Sequence, residues 1–507
     1  MGIKRRTIAS SSVNLVDYGL RFVAMLVVSP VLIHGLGAET YGQWIVLLSL
    51  IGYVDLLDLG MSGAAVRYLS LEIGDQKVDG VAEALTFFRR IFRWISLVAG
   101  ALVFVGVMLL PHLARDVTSG AEMQFVLAVC GGGSAVSYLF RCNVLLLKAH
   151  LLYHRIVSAG LVRLVVWNSG LVLVISLGFG LGALALCWVT GLMTELVLTW
   201  WWARALKPVS IGVGLFPDGR EVFGFGLKSF LGGVAGTLRD RIDVQILAAV
   251  VSTQAVAQYS IATRFVTMLT EVMNAGFGAH LLAAFSQQCN DESPRRRQES
   301  FLTTIRLSSA LAVALGLLLC WVVPPFITLW LGSGFDSAKL VVWILVPPTS
   351  LLAAQYPLGA FLASRNLHGG LVTWSLVGAA ANGIGSIYLA GRMGLVGVVI
   401  PTAIELLVLS SVGLPILVRR SREVSVRKYL TTLAKSVGIV GGAGGTALFI
   451  LQLILPNNTW PFLICGAVVI GGVAALSIWS AILTGGERRG LSMYAGRRFS
   501  KDGSAGA

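Results

Sequence analysis

The chain has 507 residues, of which 56% are hydrophobic and only 12% are charged. Because a soluble domain carries about 25% charged residues, this composition excludes a soluble globular protein and indicates a polytopic membrane protein. The net charge of +15 agrees with Lys and Arg collecting in cytoplasmic loops. No basic stretch has the interleaved aromatic residues of a nucleic-acid surface, so we expect no nucleic-acid partner.

About fourteen membrane-spanning helices are predicted, each long enough to cross a hydrocarbon core about 30 Å thick. The first follows MGIKRR and is too long, and too interrupted by charge, to be a signal peptide. The predicted spans are 13–34, 42–65, 88–110, 123–147, 156–178, 181–202, 223–250, 256–283, 302–331, 338–363, 367–390, 394–418, 432–455 and 460–483.

The positions of the basic residues orient these spans. With the amino terminus in the cytoplasm, about 26 basic residues fall in inner segments and about three in outer ones, as the positive-inside rule requires. An even number of spans then predicts that both termini are cytoplasmic.

An internal repeat divides the chain. At an offset of about 215 residues, LGAETYGQW from Leu36 aligns with VSTQAVAQY from Val251, and LLLKAHLLYH from Leu145 aligns with AFLASRNLH from Ala360. This offset predicts two six-helix lobes with a substrate site at their interface. The predicted divisions are an N-terminal lobe (1–202), a cytoplasmic linker (203–222), a C-terminal lobe (223–420), and two extra helices with a basic tail (421–507).

Charged residues inside spans concentrate in predicted helices one, two, seven and eight. A lone charge at the centre of a membrane helix costs roughly 2.5–3.5 kcal/mol, so the four charges in GTLRDRIDVQILAA would cost about 10 kcal/mol in lipid. We therefore expect these helices to line a hydrated cavity. The residues are Asp17, Arg21, Asp55, Asp58, Lys228, Arg239, Asp240, Arg241, Asp243, Arg264 and Glu271.

Two interpretations of these charges stay open. Asp17 with Arg21, and Arg239 with Asp243, have i,i+4 spacing, so each pair can neutralise itself as a structural or gating ion pair. The alternative is that the cations contact substrate.

Other charged positions are assigned plainer roles. Arg141 and Arg163 lie near predicted inner ends and are interpreted as snorkelling side chains. Glu195 and Glu405 each lie in the last helix of a half, as packing partners or proton carriers. The six cysteines have no C-x-x-C spacing, so we expect no disulfide, no metal site and no cofactor.

Enzyme motifs are missing from the sequence. It contains no P-loop, no G-x-S-x-G and no H-E-x-x-H, so we expect no catalytic residue. A membrane polymerase or ligase would be expected to have a sizeable outer loop, whereas the longest predicted here has about a dozen residues.

Several segments resemble bacterial polysaccharide-export flippases of the multidrug/oligosaccharidyl-lipid/polysaccharide exporter superfamily. The first half has LG-x-x-x-YG-x-W from Leu36, then LLDLG from Leu56, then a small-residue run ending at Arg67. The second half has Asp243 followed by QILAA, and VAQYSIATRF from Val256.

The resemblance implies an all-α fold of two six-helix lobes in a V, plus two C-terminal helices, in a bacterial inner membrane. It implies flipping of polyprenyl-pyrophosphate-linked oligosaccharide units to the periplasmic leaflet for O-antigen (lipopolysaccharide), capsule or exopolysaccharide assembly. Expected partners are this lipid-linked substrate, membrane lipids, H⁺ or Na⁺ as coupling ion, and polysaccharide polymerase machinery. Alternating access would be driven by an ion gradient or the membrane potential.

On that reading the cavity residues take three roles. The expected substrate contacts are Arg21, Lys228, Arg241 and Arg264, because arginine suits pyrophosphate. The expected ion pairs or gate are Asp17, Arg239, Asp240 and Asp243, and the ion-coupling candidates are Asp55, Asp58 and Glu271.

Three alternatives stay open. A multidrug cation antiporter of the same superfamily would favour an acidic, aromatic cavity, and a lipid II flippase would favour a first lobe richer in arginine. A membrane polysaccharide polymerase or ligase is the alternative from another functional class.

Overall fold

The computed structural model describes residues 3–113, 120–206, 236–237, 241–277, 281, 284–286, 288, 293–365, 367, 369–454, 459–483 and 488. Residues 3–18, 111–113 and 333 are described by their backbone alone. Within these ranges every regular element is a helix.

The described α-helices are numbered in chain order. They are α1 (Ile3–Leu36), α2 (Ala38–Ile51), α3 (Met61–Gly74), α4 (Val78–Leu113), α5 (Gly120–Ala149), α6 (Tyr153–Ser176), α7 (Leu181–Arg204), α8 (Thr253–Phe277), α9 (Pro294–Leu331), α10 (Asp336–Ala353), α11 (Tyr356–Ala363), α12 (Gly369–Met393), α13 (Leu395–Val408), α14 (Leu414–Ser421), α15 (Val426–Ile454) and α16 (Trp460–Ser477).

Twelve segments of the described chain are long and apolar enough to cross a membrane, which confirms an all-α polytopic membrane protein. The predicted span 223–250 lies mostly outside the described residues. The predicted span 256–283 is the helix α8, which is not among the twelve because it carries many polar and charged residues. The count of fourteen therefore stays a prediction.

The predicted continuous helix 42–65 is wrong, because the chain changes conformation twice inside it. After α2, residues Gly52–Asp58 form a 3-10 helix. Leu59 and Gly60 then adopt left-handed conformations, with φ of 48° and 75°, before α3 begins. Asp58 accepts a hydrogen bond from the backbone N–H of Ser62 at 3.1 Å, which places a carboxylate at the start of the new helix.

The first compact unit comprises the described parts of 1–260 and 379–398. In it, α5 packs against α3, α4 and α7, and α6 packs against α1 and α7. Its core joins Phe88 and Phe92 of α4 to Tyr138 and the Leu145–Leu147 run of α5. These buried side chains fix α5 next to the broken helix, which is where the candidate site lies.

The second compact unit comprises the described parts of 261–378 and 399–507. Its long helix α9 packs against α10, α15 and α16. Aromatic side chains of Phe285, Phe301, Phe361 and Tyr429 form part of the core. The four predicted divisions of the chain stay a prediction.

Candidate functional site

Side chains of neighbouring segments donate to backbone carbonyls around the break after α2, where the Gly52 N–H also donates to the carbonyls of Leu48 and Leu50. The Tyr138 hydroxyl donates to the carbonyl of Val54 at 3.0 Å. The Arg241 Nη1 donates to the carbonyls of Leu48 and Ser49 at 3.4 and 3.3 Å. Irregular backbone at membrane depth is tolerated where protein groups or a water-filled cavity satisfy it, and these two side-chain donors contribute to that at the break.

Arg241 occupies a place that only glycine leaves open. A Cβ added to Gly52 would lie 1.4 Å from the Arg241 Nη1 and 1.7 Å from its Cζ. The guanidinium also lies at the carboxyl end of α2, where the helix dipole favours a cation. Gly52 therefore positions the arginine, and the arginine neutralises the end of the helix.

Close packing extends from this point along α2. The Gln245 amide donates to the Ser49 hydroxyl at 2.5 Å. A Cβ added to Gly42 would lie 1.8 Å from the carbonyl oxygen of Thr253. Small residues on α2 thus allow the segment 241–253 to approach it closely.

A second arginine holds the other end of the break. The Arg141 Nε donates to the Ser62 hydroxyl at 3.1 Å, and this hydroxyl donates to Asp58 at 2.5 Å. The Arg141 guanidinium lies 5.7 Å from the centre of the Tyr138 ring. Asp58, an ion-coupling candidate, is thus hydrogen-bonded to the start of α3.

A third arginine is paired across two helices. The Arg163 Nη1 on α6 lies 2.8 Å from the Glu195 Oε2 on α7. The guanidinium also lies 5.4 Å from the centre of the Trp188 ring. Only 32% of the Arg163 side chain and 24% of the Glu195 side chain are exposed, so the pair is partly shielded from its surroundings.

These groups surround one cavity of about 420 Å³ in the first unit. Such a volume is in the range of small-molecule sites. Three guanidinium groups and two carboxylates face it, which gives an excess of one positive charge. Its lining residues are Leu48, Ile51, Gly52, Asp55, Ser134, Ser137, Arg141, Val144, Arg163, Trp188, Leu192, Glu195, Leu196 and Arg241.

The interpretation of Arg141 and Arg163 as snorkelling side chains is therefore wrong. Both face the cavity, because each has a polar partner on a neighbouring element: Ser62 for Arg141 and Glu195 for Arg163. The one signal in the sequence was that the predicted spans 156–178 and 181–202 each contain a single charge, of opposite sign.

The predicted site residues are distributed more widely than this cavity. Arg241 and Asp55 line it. Buried Asp243 accepts a hydrogen bond from the Tyr259 hydroxyl at 2.7 Å. Arg21 lies against α6, where a Cβ added to Gly160 would be 3.0 Å from its Nη2.

Six predicted residues remain. Two are exposed on α8, in the second unit: Arg264 and Glu271. The side chains outside the described set are those of Asp17, Lys228, Arg239 and Asp240. The roles predicted for these six, and for the five residues described above, stay predictions.

A separate ion-pair cluster joins three segments of the second unit. The Arg365 Nε and Nη2 donate to the two carboxylate oxygens of Glu423 at 2.7 and 2.8 Å. The Arg297 Nε lies 3.5 Å from the same carboxylate. The hydrogen bonds from Arg365, followed by its positive charge and that of Arg297, lower the pKa of Glu423 although burial opposes the shift.

Comparison with known proteins places these features in context. A family described as polysaccharide biosynthesis protein matches residues 76–340, slightly more than half of the chain. The probable low-salt glycan biosynthesis flippase Agl15 of Haloferax volcanii is 21% identical over 407 residues, covering 80% of this chain and 81% of that protein.

Two solved structures show the same fold. The lipid II flippase MurJ in an inward closed conformation has a TM-score of 0.69 at 12% identity, covering 93% of this chain and 98% of that one. An inward-facing multidrug resistance MATE family transporter of the MOP superfamily has a TM-score of 0.66 at 14% identity, covering 79% of this chain and 94% of that one.

Proposed function

The chain belongs to the polysaccharide biosynthesis protein family, and on that premise we propose that it is a flippase for polyprenyl-pyrophosphate-linked oligosaccharide repeat units. It moves each unit from the cytoplasmic to the periplasmic leaflet of a bacterial inner membrane, with both termini in the cytoplasm. The family match confirms the resemblance of the sequence and the involvement in polysaccharide biosynthesis.

The observation that carries the proposal is the cavity with three guanidinium groups beside a broken membrane helix. Arginine binds phosphate oxygens through two parallel N–H donors, so Arg141, Arg163 and Arg241 suit a pyrophosphate group. Trp188 offers an aromatic face, and Ser134 and Ser137 offer hydroxyls, which suit a sugar. The polyprenyl chain stays in the lipid.

Residues outside this cavity extend the proposed path. Arg21, Lys228 and Arg264 contact the substrate at other stages of transport. The pairs of Asp17 with Arg21 and of Arg239 with Asp243 form a gate with Asp240. Such intramembrane charges mark substrate and ion pathways by default.

Alternating access provides the transport cycle, driven by an ion gradient or by the membrane potential. Asp55, Asp58 and Glu271 are the candidates for binding H⁺ or Na⁺. The transported unit enters O-antigen, capsule or exopolysaccharide synthesis, where polymerase machinery at the periplasmic face uses it.

A leaflet-accessibility assay tests the proposal. Purified protein is reconstituted into vesicles with a fluorescent short-chain polyprenyl-pyrophosphate oligosaccharide, and a membrane-impermeant quencher reports the fraction of substrate in the outer leaflet. We expect the protein to move substrate out of the protected leaflet, Arg241→Gln to lose this activity, and Arg155→Gln, outside the cavity, to keep it.

Equal quenching kinetics in vesicles with and without protein would contradict the proposal. Transport of a cationic dye in place of the lipid-linked sugar would indicate the multidrug antiporter. The excess of positive charge in the cavity argues against that outcome, because it repels cations.

A further inference from the structure

The pair formed by Arg163 and Glu195 presents a conflict for an anionic substrate. Both side chains line the cavity, and their charged atoms lie 2.8 Å apart. While the Glu195 carboxylate accepts a hydrogen bond from Arg163, some of the Arg163 N–H donors are occupied. A pyrophosphate group that binds Arg163 bidentately through the edge containing Nη1 displaces Glu195.

We propose, resting on the proposed function, that Glu195 takes up one proton when the pyrophosphate group of the substrate displaces it from Arg163. The substrate oxygens replace the Glu195 oxygens as acceptors of the Arg163 N–H groups. The proton comes from hydronium or the buffer acid in the aqueous phase and binds a Glu195 carboxylate oxygen, and no covalent bond of the substrate changes.

The charges facing the cavity balance with one proton. Three cations line the cavity: Arg141 on α5, Arg163 on α6 and Arg241. Two anions line it: Asp55, in the segment Gly52–Asp58, and Glu195 on α7. Their sum is one positive charge. A pyrophosphate diester carries two negative charges, which would leave one uncompensated negative charge in a partly desolvated site.

Protonation of Glu195 removes this negative charge, because the substrate binds Arg163, the ion-pair partner of Glu195. If Glu195 leaves Arg163 without being protonated, an ionised carboxylate lies beside a bound anion. The loss of its ion-pair partner and the repulsion from the anion are both unfavourable. Trp188 keeps Arg163 in place during the exchange, since its ring lies 5.4 Å from the guanidinium and a cation–π contact persists without the carboxylate.

This exchange makes Glu195 a coupling residue. When substrate binds, Glu195 takes up one proton from the same aqueous side. The substrate-bound protein therefore carries one proton more than the empty protein. Release of the substrate restores the ion pair and releases the proton. Each outward step then carries the two negative charges of the substrate together with one proton, and a membrane potential that is negative inside drives the remaining net charge of −1 outward.

Isothermal titration calorimetry in buffers of different ionisation enthalpy measures the protons taken up per bound ligand. The probe is a short-chain prenyl-pyrophosphate N-acetylglucosamine, a diester whose charge is constant between pH 6 and 8, and the protein is the full chain in detergent micelles. We expect the wild type to take up about one proton per probe, so that its affinity falls about tenfold per pH unit on the alkaline side.

Glu195→Gln is expected to bind the probe with no proton uptake and with an affinity that does not change with pH. Glu83→Gln, which removes the same charge outside the cavity, is expected to keep the wild-type uptake. If Glu195→Gln does not fold, loss of uptake in Arg163→Gln provides the same test, because the exchange requires both partners.

Probe binding without proton uptake by the wild type would overturn this inference and leave the proposed function standing. Undiminished uptake by Glu195→Gln would do the same. Failure of the wild type to bind the probe at any pH, together with absence of transport in vesicles, would overturn the proposed function and this inference with it.

Discussion

Replacement of Gly52 by alanine tests whether the position of Arg241 is required for transport. The added Cβ would lie 1.4 Å from Nη1, 1.7 Å from Cζ and 2.3 Å from Nη2 of Arg241. A flexible side chain can withdraw from such a clash, so we expect the guanidinium to leave the carboxyl end of α2. The substitution thus displaces the charge without removing it.

The cost to stability is expected to be small. Loss of the two contacts to the carbonyls of Leu48 and Ser49, which are long at 3.4 and 3.3 Å, costs about 2–3 kcal/mol for a charged donor. Gly52 has helical backbone angles of −65° and −17°, so alanine returns about 1 kcal/mol of helix propensity. The net loss of about 1–2 kcal/mol leaves the protein folded.

Transport is expected to fall at least about tenfold, which corresponds to about 1.4 kcal/mol in the barrier. The assay is the vesicle quenching experiment, with thermal unfolding in detergent as the measure of stability. Gly100→Ala is the matched control, because a Cβ at Gly100 would have no neighbour within 4 Å.

The double variant with Arg241→Gln separates this mechanism from a general defect. If Gly52→Ala acts only through the arginine, adding it to Arg241→Gln causes no further loss, since coupled residues are not additive. Wild-type transport by Gly52→Ala would refute the reasoning.

Three further predictions concern stability, each measured by thermal unfolding of the purified protein. Tyr138→Phe leaves a carbonyl of the helix break without its hydroxyl donor and is expected to cost about 1–3 kcal/mol; an unchanged midpoint would contradict this. Gly42→Ala forces a Cβ against the Thr253 carbonyl oxygen, 1.8 Å away, and is expected to cost about 1–3 kcal/mol or more by overpacking, whereas Gly132→Ala, with open space around it, is expected to cost nothing. Arg365 lowers the pKa of Glu423 in the folded state. The stabilisation by this pair is therefore present above the unfolded pKa of about 4.3 and is lost as the pH falls through the folded pKa. Glu423→Gln is expected to remove that part of the acid sensitivity, and an acid profile identical to that of the wild type would argue against this.

The membrane fold was predictable from the sequence because burial in lipid demands long apolar runs. Five of the predicted spans lie entirely within one helix that the structure describes, as 181–202 does within α7. The break in the predicted span 42–65 was harder to recognise, because LLDLG is apolar enough to continue a helix. Its turn-forming residues, Asp55, Asp58 and Gly60, were the available signal.

The candidate cavity was only partly predictable. Intramembrane charge identified Arg241 and Asp55, since several charges in one span require a polar environment. Arg163 and Glu195 are each the only charged residue of the predicted spans 156–178 and 181–202, and a single charge near a helix end is compatible with snorkelling. Their 2.8 Å contact depends on how α6 and α7 are rotated against each other, which a single sequence does not encode locally.

The tightly wound segment Gly52–Asp58 also changes the length of the span that contains it. A 3-10 helix rises about 2.0 Å per residue and an α-helix about 1.5 Å, so seven residues reach about 3.5 Å further in the observed form. Rewinding them as α-helix would draw the two ends of the span together by that distance while keeping the chain helical. The segment is therefore an extensible element, and a thinner bilayer would favour its shorter form.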